Sequence, residues 1–187
     1  GSRGLGDVYK RQIFLLPLFL LAGCASAGGS QSRDLDLKEL CTEEQVFQYA
    51  DFEWGTDSEQ LFKQSSLKFD EKDLGQGDES STKTYESKEK FSLENAESNM
   101  DLEFSDGQLS QVSFTFDIEQ DANTWIQKEV DELNSLYGGG IATGLGNQIY
   151  QWQGEQDTVL QLTAFTEGDE SATVILSVAS MEYSIGS

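Results

Sequence analysis

Two hydrophobic rhythms alternate along this chain. Between residues 100 and 116 apolar and polar positions alternate strictly, with Met100, Leu102 and Phe104 before Asp106-Gly107 and Val112, Phe114 and Phe116 after it. A period of two predicts half-buried strands, and Asp-Gly between them predicts a tight hairpin. From 121 to 137 the period changes. Ala122, Trp125, Ile126, Val130, Leu133 and Tyr137 recur at spacings of three and four, which predicts a helix with Asp121 as N-cap and Gly138–Gly140 as its stop. Strands are predicted again over 147–153, 157–166 and 171–183. Leu160, Leu162 and Ala164 alternate in the second, and Ala172, Val174, Leu176 and Val178 in the third, across Glu167-Gly168-Asp169.

Upstream, Phe52-Glu-Trp54-Gly55 reads as an extended segment ending in a turn residue. Thr56-Asp-Ser-Glu59 reads as a capping box opening a short helix through Leu61 and Phe62. Residues 66–81 are polar and read as a loop, with short strands over 82–87 and 89–93. In order, the chain reads as a helix and three strands, twice. This predicts an α+β domain over 40–187: an antiparallel sheet with helices packed on one face, built from tandem modules at about 50–117 and 118–187.

The amino terminus follows a different logic. Residues 13–21 form an apolar run after Lys10 and Arg11, far short of the roughly 20 residues that span a bilayer. That length matches a signal-peptide core. Leu21-Ala22-Gly23-Cys24, directly after it, resembles the lipobox of bacterial lipoproteins. The resemblance implies a signal peptide over 1–23, with Leu21, Ala22 and Gly23 recognised by the signal peptidase and lipid attached to Cys24. Residues 24–39 then hold the lipidated Cys and a flexible tether, whose small polar stretch over 25–37 reaches about 20 Å. Residues 1–12 resemble translated adapter read-through and are assigned no role. Ala25 after the Cys resembles the outer-membrane sorting class if the host is Gram-negative; a Gram-positive host would place the protein on the outer face of the plasma membrane. Cys41 is left without a disulfide partner in the mature chain.

The stretch Phe52 to Leu61 also resembles the opening of small secreted αβ lipoproteins. The pattern is shared by outer-membrane assembly lipoproteins of the BamE/SmpA type and by the β-lactamase-inhibitor-like fold, in which helical and stranded modules repeat. Leu136-Tyr137-Gly138 resembles a second recurring piece, in lipoproteins of Gram-positive bacteria. Thr56 stands where the assembly lipoproteins carry Met, and no Pro follows the first helix. The resemblance therefore implies a fold and assigns no binding residue.

Composition narrows the function. The chain has 34 acidic against 12 basic residues and no His. Such a charge opposes nucleic-acid binding, and lack of His removes the usual general base and the commonest metal ligand. No catalytic residue, metal ligand or cofactor is assigned. The acidic stretch Asp70–Glu79 lacks the spacing of a calcium loop and reads as solvated. Asp131 and Glu132 fall on the polar side of the long helix. Among the aromatics, Trp54 and Trp125 read as core, whereas Tyr150 and Trp152, beside Gly154, are the candidate solvent-facing interface residues.

The expectation is a non-catalytic, lipid-anchored cell-envelope protein whose αβ domain binds another protein, as a scaffold, assembly factor or inhibitor would. The alternative is a lipoprotein that binds a cation or small ligand through its acidic face. Cleavage before Cys24 would leave nine basic against 33 acidic residues. Residues 91–187 hold one basic and 17 acidic. That half should be repelled by anionic lipid, and it suits a basic partner or a salty milieu.

Overall fold

The computed structural model describes residues 32–75, 81–143, 148–168 and 170–184. The expected signal peptide, with Leu21, Ala22 and Gly23, the expected lipidation site Cys24 and the expected tether as far as residue 31 lie outside them, as do Asp78, Glu79 and Asp169. The described residues form an α+β structure of nine strands in one mixed sheet with three α-helices. The strands are β1 (Arg33–Asp34), β2 (Phe69–Lys72), β3 (Thr82–Leu93), β4 (Ala96–Ser105), β5 (Gln108–Ile118), β6 (Ile141–Thr143), β7 (Gln148–Gln153), β8 (Thr158–Glu167) and β9 (Ser171–Ser180). The helices are α1 (Ser58–Gln64), α2 (Ala122–Tyr137) and α3 (Met181–Ser184).

The sheet order is β1-β3-β4-β5-β9-β8-β7-β6, with β2 also pairing β3. All pairs are antiparallel except the two-residue β1 against β3. Each of α1 and α2 is thus followed by four strands, one in each half unmarked by the sequence pattern. The additional strands are β2 and β6, short and polar or exposed, where no hydrophobic alternation could announce them. The acidic stretch from Asp70 is accordingly part strand, not a loop. Residues 82–93 form one strand, not two, with a bulge between Glu86 and Lys90 absorbing the break in its pattern.

Core side chains line up in rows across the sheet. One row runs Tyr85, Leu102, Val112, Val178, Leu160, Trp152 over six strands; the next contains Met100, Phe114, Leu176, Leu162 and Tyr150. These rows hold five of the largest fully buried side chains, Met100, Leu102, Phe114, Leu160 and Leu162. Aromatic edges knit the other elements to them. Tyr49 meets Phe91 and Phe114, Phe62 of α1 meets Tyr85 and Phe104, and Trp125 of α2 meets Phe116. The first four of these pairs are edge-to-face, and such contacts add about 0.5–1.5 kcal/mol each beyond area burial.

Local signals were followed unevenly. Asp106 and Gly107 both take positive φ, 50° and 80°, as a type I′ hairpin turn requires. Helix α1 is capped one residue later than expected, by Asp57, whose side chain accepts from the Gln60 amide at 2.9 Å. Asp121 does precede α2, but in the left-handed region (φ 52°) and without a capping side-chain hydrogen bond. Residues 52–53 are irregular and lead into a turn at Trp54-Gly55, with no strand. There Phe52 is buried, and the Trp54 indole donates to the Phe47 carbonyl at 2.9 Å. The final strand stops at Ser180, after which α3 turns back toward β5.

Candidate functional site

Pleating fixes what the other side of the sheet presents. Residues at odd positions of β5 from Gln111 onward, and of β9, point away from Phe114 and Leu176. Together with their register partners they form a second set of rows. One crosses eight strands: Asp70, Glu86, Asp101, Ser113, Ser177, Gln161, Gln151, Ile141. A neighbouring row runs Thr115, Ile175, Thr163, Ile149, Thr143. Most of these side chains are half-buried or exposed.

This face has two chemically distinct parts. On β2, β3 and β4 it is charged. Lys72 bridges Glu86 at 3.1 Å and Asp101 at 2.8 Å, and Lys88 pairs with Asp70 at 3.1 Å. Without those cations, carboxylates facing each other across strands would repel. Glu103 lies in the next row, its carboxyl raised by burial. From β5 to β6 these two rows are neutral, built of Ser, Thr, Gln and Ile. There Gln151 donates to Gln161 at 3.3 Å, and Gln161 donates to Thr163 at 2.9 Å. At its margin β6 pairs only with β7 among the described residues, and Ile141 is 62% exposed. An exposed edge of this kind is a template for added strands.

At one end of the sheet the face meets two neighbouring cavities that share Asp117, Ile118 and Glu119. The larger, about 660 Å³, lies against Glu94, Asp121, Trp125 and Lys128; the other, about 420 Å³, against Phe165, Glu167 and Thr173. Five carboxylates border this pair of recesses. Lys128 is the one cation bordering them and is held by Glu94 at 2.7 Å. Among the described residues no group of three or more His, Cys, Asp or Glu is placed to hold a metal ion.

The two aromatic interface candidates do not stand where the sequence suggested. Trp152 is 3% exposed and faces the core row, its indole donating to the Gly138 carbonyl at 2.9 Å and to Asn134 at 3.2 Å. The expectation that Trp152 faces solvent is therefore corrected: it joins α2 to the sheet. Gly140 lies so close that a Cβ there would come within 2.6 Å of the indole ring. Tyr150 is half-buried on that same inner side, packed against the core. Asp131 and Glu132 are exposed on α2, as the helical pattern implied. The neutral sheet face was not singled out from sequence. Its only signal was the polar half of the alternation in β5, β8 and β9, which periodicity treats as background.

Comparison with family models, with curated proteins and with solved structures gave no significant match.

Proposed function

We propose that this chain is a lipid-anchored cell-envelope protein whose αβ domain, without catalysis, docks another protein on the outer face of its sheet. The supporting observation is the unbroken row from Asp70 to Ile141, which offers a broad surface on eight strands. In this reading α1 and α2 pack on the opposite face, and the chain is two tandem modules, each a helix followed by strands, joined where β5 pairs β9. The neutral part supplies adaptable hydrogen bonds and the acidic part favours a basic partner. The β6 edge can add a strand of the partner's backbone. The lipid on Cys24, left after cleavage following Gly23, holds the domain near the membrane, which its charge alone would not do. Placement at the outer membrane, or on the outer face of the plasma membrane, follows the host's envelope type.

Crosslinking of the full chain in its native envelope tests this reading. A discrete protein adduct is expected, and recovery of none across growth conditions would overturn it. Intact mass should show an acylated chain beginning at Cys24, and Cys24→Ser should release the protein from the membrane fraction.

The carboxylates around the paired cavities favour a second reading, in which the acidic end binds a cation or small cationic ligand. Calorimetry with Ca²⁺ separates the two: no heat at millimolar ion would remove it.

A further inference from the structure

Helix α2 carries a carboxyl where its packing surface needs an apolar group. Ala122, Ile126, Glu129 and Leu133 recur at spacings of four, three and four and are all buried, Glu129 at 1% exposure. Neither Glu129 oxygen has a hydrogen-bond partner. One turn earlier on the same face, the Trp125 indole N–H is also buried without a partner. An ionised carboxylate cannot remain so placed cheaply, because burial without compensation strongly penalises the charged form.

The surroundings oppose ionisation as well. Glu94, from the turn between β3 and β4, and Glu132, from α2 itself, add negative potential at Glu129, and Lys128 alone counters them. Lys128 is at the same time held by Glu94. The strands in contact with α2, β8 and β9, turn apolar residues such as Leu162 and Val174 inward, and Phe116 of β5 meets Trp125. The amino-terminal segment meets α2 two turns away at Tyr137, near Asp36 and Cys41. Burial first, then Glu132 and Glu94, push the Glu129 carboxyl up to about 7.

We propose that α2 is a pH-released cover, held on the sheet while Glu129 carries a proton and loosened when that proton leaves. Release exposes the apolar strip beneath α2 and frees the wall of the larger cavity that Trp125 and Lys128 form. The device is independent of the docking reading, since it concerns the helix rather than the outer sheet face.

Native-state hydrogen exchange on the full chain, corrected for the intrinsic pH dependence of exchange, tests it. Protection of the α2 amides should fall about tenfold between pH 6 and pH 8, while that of β5 and β9 falls less. In Glu129→Gln the α2 protection should stay level over the same range. Level protection in the wild type, or an equal fall in the variant, would overturn the proposal. Carboxyl ¹³C titration of Glu129 in the wild type gives a check that needs no variant: a midpoint near 7 supports the proposal, and one near 4.5 overturns it.

Discussion

The strands that follow α1 and those that follow α2 solve one packing problem with different chemistry. β3, β4 and β5 bury rings: Phe91, Phe104, Phe114 and Phe116 touch one another or the aromatics of the amino-terminal segment and α1. β8 and β9 bury Leu160, Leu162, Val174 and Leu176, with Trp152 of β7 buried beside them and Tyr150 half-buried. Their outer faces differ just as clearly. The first set carries charge and two bulges, one between Glu86 and Lys90 and one between Glu103 and Phe104, and the second set runs in unbroken register. Bulges add local twist, and the second set has none. Rings fill one half of the core, and aliphatic rows fill the other.

The two helices repeat the contrast. Helix α1 is short but well terminated, with Asp57 at its N-cap and an exposed Glu59–Lys63 pair one turn apart. Helix α2 has 16 residues, no side-chain cap and a buried carboxyl in its packing stripe. Tertiary contact, not local signals, keeps α2 in place, and this makes it the element that pH can loosen.

Breaking the ring-packed half should have the largest effect. Phe114→Ala removes contacts to Tyr49, Phe91 and Phe116 at the centre of the sheet, and urea unfolding should show a loss of about 4 kcal/mol. Glu129 comes next. Its folded value lies above the free carboxyl value of 4.5, so the folded state holds the proton more tightly. Its contribution is full below pH 4.5, falls as pH rises toward about 7, and levels beyond. The total is roughly 3 kcal/mol, absent from the pH profile of Glu129→Gln. Gly140→Ala would drive a methyl into the Trp152 ring and should cost about 2 kcal/mol, with a shift in tryptophan fluorescence. Asp57→Ala strips the α1 cap for about 1 kcal/mol in thermal unfolding. Lys72→Met is the mildest, at or below about 1 kcal/mol, and its cost should shrink as salt is added.

What the sequence disclosed follows from where each signal resides. The hairpin of β4 and β5 was legible because Asp106-Gly107 and the alternation around it are local and agree. Helix α2 was legible because its period is long. β2 and β6 were not, being short and stabilised by neighbours rather than by their own pattern. Trp152 was misplaced because alternation tells that Tyr150 and Trp152 share a side, but only register with Leu160 and Val178 tells which side. The outer face remained hidden for the same reason, since Ser177, Gln161 and Gln151 are distant in sequence and become a surface only through strand pairing. Glu129 was hidden because the helical pattern tolerates a Glu among apolar positions, and burial is settled by what packs over it.

The docking claim is tested most directly by placing a photoreactive side chain at Ser177, in the neutral outer row, and at Asp131, exposed on α2, in the full chain in its native envelope. A discrete protein adduct is expected from Ser177 and none from Asp131. Adducts from Asp131 alone, or from neither position, would contradict the docking claim.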